Sequence, residues 1–161
     1  MRWSLPIAFA ALALGAAACS QPTVTPAPSS AVPARHPISG LDVIPLTISQ
    51  NGKVHNFRVE MARTMEQQQK GLMFRTKMGP DEGMLFPSDV PEPRSFWMKN
   101  TVIPLDIVFI GPDHSISNIA ANAVPYSLDP INSAGATIAV LELNGGRAAQ
   151  LGIMPGARVT W

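Results

Sequence analysis

The stretch RSFWMKNTVIPLDIVFI, residues 94–110, sets Arg94, Trp97, Lys99, Asn100 and Asp106 among apolar residues. Two cations, an amide and a carboxylate at this spacing suit a small pocket. Trp97 would be its aromatic wall, Arg94, Lys99 and Asn100 its donors, and Asp106 an orienting acceptor, for a small anionic or polar ligand. Two other readings use the same residues. Asp106 with Lys99 or Arg94 is equally a structural ion pair fixing how two strands meet at Pro104, and the stretch is equally a protein-contact surface. As an enzyme, the domain would use Lys99 and Asp106 as an acid–base pair on a small polar substrate.

The elements that must position these residues are strands. In extended chain Trp97, Lys99 and Thr101 share one face while Phe96, Met98 and Asn100 share the other. Pro104 then breaks the ladder, and Leu105, Ile107 and Phe109 alternate with Asp106, Val108 and Ile110. Both faces of this second strand are apolar except at Asp106, which needs Lys99, Arg94 or backbone amides because an unpartnered buried carboxylate is costly.

The rest of the chain punctuates itself into short elements. Asn51-Gly52 is a two-residue hairpin turn, which sets Ile48 opposite His55, Leu46 opposite Phe57 and Ile44 opposite Val59. Pro45 has no amide donor, so that first strand belongs at a sheet edge or turns its donor side away. Thr64 followed by Gln67 predicts a capping box, and Gly71 ends the short helix that follows. GMLFP is a brief buried strand entering the proline-rich bend SDVPEPR, and GPDH at 111–114 is a turn between Leu105–Ile110 and a strand near Ile116–Ala121. Strand Ala136–Leu143, a helical turn at Arg147–Leu151 and a final strand Arg158–Trp161 complete the chain. These elements predict a mainly β fold, a small partly closed barrel of about seven short strands with two short helices.

Other chemistries find less support. The chain carries 12 basic and 11 acidic residues, a net charge of +1, with no concentrated basic patch for nucleic acid. Its three histidines lie in a linker (His36), on the apolar face of a hairpin (His55) and in a turn (His114), so no nucleophile is set beside a base and no catalytic residue is assigned. No His or Cys pair has metal-ligand spacing, and Asp81-Glu82 is a solvated loop pair, so no metal or cofactor is expected. Met73, Met84 and Met98 fall in apolar phrases where core packing accounts for them.

The phrases QQQKGLMFR, DEGMLFP, RSFWMKNTVIPLDIVFI and VLELNGGRAAQLGI, in order between Val59 and Val159, resemble the bacterial and archaeal family known as domain of unknown function 192. The resemblance implies a small β-rich domain, often behind an export signal, and it assigns no activity and no catalytic residues.

The N-terminus fixes an expected location. Residues 1–19 hold one Arg near the start, an apolar run from Leu5 to Ala18 and small residues before Cys19. That run is shorter than the ~20 residues of a spanning helix and has the layout of a secretory signal. Cys19 is the only cysteine. Either Ala16-Ala17-Ala18 is a general signal-peptidase site, or the motif resembles a lipobox, with Ala16 where Leu is usual, and Cys19 becomes the lipidated mature N-terminus. Residues 20–38, with prolines at 22, 26, 28, 33 and 37, form a stiff solvated linker of the kind a tether uses, which favours the second. A single domain is expected over residues 39–161. The expectation is an exported binding or accessory module of the periplasm or cell envelope, meeting the membrane only through its lipid anchor and taking a small ligand or an envelope protein as partner. Metabolic labelling with palmitate should mark the wild-type protein and not Cys19→Ser; label that persists in the variant contradicts the anchor.

Overall fold

Asn51 and Gly52 take left-handed φ angles of 51° and 75°, the geometry of a two-residue turn that matches strand twist. Around them β2 (Asp42–Gln50) and β3 (Lys53–Met61) pair with Ile48 opposite His55, Leu46 opposite Phe57 and Ile44 opposite Val59, the register expected from the sequence. The computed structural model describes Met1 and residues 34–161. The signal, Cys19 and most of the linker lie outside the described residues.

Residues 34–38, assigned above to the linker, are instead part of the fold. The two-residue β1 (Ala34–Arg35) pairs with the start of β2, and the segment after it is tied to Glu60 of β3. The Ser39 hydroxyl donates to Glu60 Oε2, and Arg75 reaches Glu60 in a two-pronged ion pair of 2.8 and 3.0 Å. Pro45 falls between Val43, where β1 pairs, and Thr47, where β8 (Arg158–Thr160) pairs, so its missing donor interrupts neither ladder.

Helix α1 (Met65–Lys70) opens on the predicted capping box, with Gln67 N–H on Thr64 Oγ1 and Gln67 Oε1 on Thr64 N–H. It crosses from β3 to the parallel strand β4 (Glu82–Phe96). β4 runs on through the expected SDVPEPR bend. Its pairing with β7 (Ile131–Asn144) shifts register between Pro87 and Glu92 and again between Pro93 and Ser95, because the prolines there cannot donate to the ladder. β5 (Leu105–Ile110) lies between β7 and β6 (Ile116–Ala123), joined to β6 by the expected 111–114 turn. The sheet order is β1-β2-β3-β4-β7-β5-β6, with β8 on β2. β8 also bridges Ser115, and the adjoining Ala157 carbonyl accepts from Ile116 N–H at 2.8 Å, which curls the sheet into a half-barrel. Among the described residues eight strands and two short helices make the predicted mainly β, partly closed barrel.

Alternation along the strands divides the core into two. Leu85, Val108, Ile110, Leu141 and Leu143 face inward with the hairpin residues Leu46, Phe57 and Val59. Met84, Phe86, Leu105, Ile107, Phe109 and Val140 face outward, under Leu72 and Met98. Asp106 is on the inward face, wholly buried, and its carboxylate takes three backbone amides: Asn122 and Gly146 on Oδ1 at 2.9 and 2.8 Å, and Ala148 on Oδ2 at 2.8 Å. Gly146 is the N-cap of α2 (Arg147–Leu151) and offers no side-chain cap, so Asp106 supplies the cap from a neighbouring strand. Gly145 must be glycine for this approach, since a Cβ would lie 2.9 Å from Pro104 Cβ. Asp106→Ala removes the acceptor of three backbone amides, that of Ala148 buried, and should cost on the order of 3 kcal/mol in chemical denaturation, with Asp106→Asn intermediate because it keeps one acceptor oxygen. An alanine variant as stable as wild type would contradict the clamp.

Candidate functional site

Strand β4 ends at Phe96, so the amphipathic strand expected to continue to Thr101 is absent. Residues 97–104 form a loop instead. Met98, wholly buried, anchors it by donating its N–H to Ser127 O at 2.9 Å, and a turn closes from Thr101 N–H to Met98 O at 3.0 Å. The loop is stitched to both neighbours: Phe74 N–H donates to Asn100 O at 2.8 Å and Tyr126 N–H to Thr101 O at 3.2 Å. Phe74, Asn100 and Tyr126 all hold left-handed φ angles, of 63°, 54° and 64°. For a bulky side chain this conformation costs energy, and such residues gather at functional sites.

This loop, α1, β4 and the C-terminal end of β7 line a cavity of about 470 Å³. Arg94, Trp97 and Lys99, three of the five residues singled out in the sequence, line it, as does buried Thr101. Arg94 is held from three sides: its guanidinium donates to Gln68 Oε1 at 3.0 Å and to Ser88 Oγ at 3.3 Å, and lies 5.6 Å from the Phe96 ring centroid. Gln68 is itself fixed, donating to the carbonyls of Ala62 and Pro87 at 3.2 and 2.9 Å. Trp97 is 51% exposed, with Lys99 Nζ 5.1 Å from its ring centroid. Among the described residues no carboxylate pairs with Arg94 or Lys99.

The other two residues are elsewhere. Asn100 is the turn residue of the loop, its side-chain amide 3.8 Å from Met73 Sδ. Asp106 is on the opposite face of the sheet, its oxygens taken by backbone amides, so neither the expected ion pair with Lys99 or Arg94 nor the Lys99–Asp106 acid–base pair forms. One strand residue decides this: Ile107 faces the cavity side, and the pleat turns Asp106 away.

The acid in the cavity is Glu142, which no sequence motif marks. It pairs across the sheet with Met84 and Ile107, shares the outward face with Val140, and is 5% exposed. Its Oε2 has no hydrogen-bond partner, and burial pushes the carboxyl up to about 8. Among the described residues neither Arg94 nor Lys99, which line the same cavity, makes a salt bridge with it. A wider groove of about 830 Å³ flanks α1; of the three cations that line it, Lys70, Arg75 and Lys77, Arg75 is already paired with Glu60. Among the described residues no group of three or more His, Cys, Asp or Glu is placed to hold a metal ion.

The folded domain holds the Glu142 proton more tightly than the unfolded chain, where glutamates titrate near about 4.3. Stability from the neutral acid is therefore complete below that pH and is lost as pH rises toward 8. Glu142→Gln, neutral throughout, should match wild type in urea unfolding at pH 4 and exceed it at pH 8 by on the order of 3–4 kcal/mol. Parallel pH profiles for the two proteins would contradict the burial of an ionisable acid.

The family profile described as "Uncharacterized ACR", domain of unknown function 192, matches residues 46–161. No curated protein matches the chain. A crystal structure of a Novosphingobium aromaticivorans protein of unknown function is 56% identical, with a TM-score of 0.79, covering 82% of this chain and 94% of its own. A Sinorhizobium meliloti protein, proposed to be a transcription regulator, is 40% identical with a TM-score of 0.73, covering 74% of this chain and 94% of its own. The profile match spans the hairpin, the cavity loop and the Asp106 clamp, and the chain belongs to the domain of unknown function 192 family.

Proposed function

We propose that this domain is a binding module of the cell envelope that takes a small anionic or polar ligand into the 470 Å³ cavity. One observation carries the reading: three cations with no carboxylate partner among the described residues, Lys70, Arg94 and Lys99, line one cavity with Trp97. Side chains of that kind on apolar walls are the usual anatomy of a small-molecule site. Arg94 is oriented in advance by Gln68 and Ser88, so little ordering is left for a ligand to impose. Lys99 is exposed, so its share is smaller and falls with salt. A tether at Cys19 would hold the module at a membrane surface while the linker keeps the cavity in solvent.

The enzymatic alternative with Lys99 and Asp106 loses its acid to the backbone clamp. The transcription-regulator proposal made for the Sinorhizobium relative draws no support from this chain's net charge of +1. Calorimetric titration of the mature chain with small straight-chain carboxylates tests the binding reading. Arg94→Gln should weaken binding by at least about tenfold, the worth of a charged hydrogen bond, and Lys99→Gln by less, with a stronger salt dependence in wild type. Unchanged affinity in both folded variants would remove the cavity from consideration.

A further inference from the structure

Glu142 is a buried polar side chain whose Oε2 meets no partner among the described residues, in the same cavity as the cations Lys70, Arg94 and Lys99, none of them in a salt bridge there. A donor or acceptor left unpaired in a protein interior is a standing cost, and in native structures it has a cause. Resting on the reading of this cavity as a ligand site, we propose that its ligand is amphoteric. A protonated amine seats against Glu142, and a carboxylate several bonds away reaches Arg94 and Lys99.

Three observations favour an amine over a plain acid or a sugar hydroxyl. First, the two kinds of charge are separated within the cavity. Glu142 lines the cavity with the cations, yet among the described residues it makes no salt bridge and its Oε2 meets no donor. A ligand bearing only an anion would satisfy the cations and leave Glu142 unpaired. Second, the acid sits at about 8, so roughly one molecule in ten already carries the ionised form at pH 7. An alkylammonium, which keeps its proton to about pH 10, needs to recoup only that tenfold to hold the carboxylate form, and it does so out of water, where a charge pair is strong. The balance of the step is simple: the carboxyl proton leaves to solvent, and the ligand's ammonium takes its place as the partner of the carboxylate. Third, Trp97 with Lys99 above it stands at the exposed side of the cavity, an apolar wall for the methylene chain between two such charges. ω-Amino acids and short peptides have this form.

The experiment titrates the mature chain at pH 7 with ω-amino acids of four to six carbons and with the matching unsubstituted carboxylates, by calorimetry in two buffers of different ionisation enthalpy. The expected result is that an amino acid binds at least tenfold more tightly than its matched carboxylate, with close to one proton released. In Glu142→Gln, shown folded by its thermal melt, the preference falls within about twofold and proton release disappears. Carboxylates that bind as well as the amino acids, or a preference that survives in Glu142→Gln, overturn the amphoteric ligand and leave the anion site standing. Binding of neither class overturns both.

Discussion

The carboxylate of Asp106, buried and holding three backbone amides, is the interaction on which the arrangement of the sheet's second half depends. Its three donors come from β6 and from the first residues around α2, so one side chain joins β5 to β6 and to the start of α2. Asn122 and Gly146 both present their N–H from left-handed backbone, at φ 52° and 80°, which a chain adopts only when something rewards it. With β5 fixed, the β5–β7 register follows: Asp106 lies opposite Leu143 and Ile107 opposite Glu142. A slip of one residue would turn Asp106 into the cavity and Glu142 into the inner core.

Two acids one register step apart thus meet opposite fates. Asp106, ringed by amides, is what a structural buried carboxylate looks like, with every charge lobe answered by a donor. Glu142, across the sheet, has an unanswered oxygen and is neutral near pH 7 because burial leaves it no other course. The first holds the fold together. The second is tolerated by a fold that would be more stable without it above neutral pH, and among the described residues it shares its cavity with cations that lack carboxylate partners. Those two departures from local optimality coincide in one cavity, which is where function is expected to override stability.

Much of this architecture was legible in the sequence wherever the cause is local. Asn51-Gly52 dictated the hairpin and its register, Thr64 and Gln67 the start of α1, and the glycines at 145, 146 and 152 the limits of α2. Arg94, Trp97 and Lys99, which line the cavity, drew attention in the sequence because charge within an apolar phrase is costly unless used. The parts that were not legible depend on distant chain. Phe96 ends its strand because Met98 and Thr101 find partners in the 124–128 loop, and residues 34–38 fold because Glu60 and Arg75 draw Ser39 in. Glu142 in VLELN reads as the solvent side of an alternating strand. It is buried because β4 and β5 flank it and α1 and the 97–104 loop close over that face.

The central claim is that a buried, unpaired and protonated glutamate marks the working cavity of this domain. Carbon-13 NMR of the Glu142 side-chain carboxyl across pH reads that state at the atom concerned. The account predicts a titration midpoint near 8 in the free protein, moved to lower pH by a saturating ω-amino acid. A midpoint in the ordinary range near about 4.3, unmoved by ligand, would contradict it.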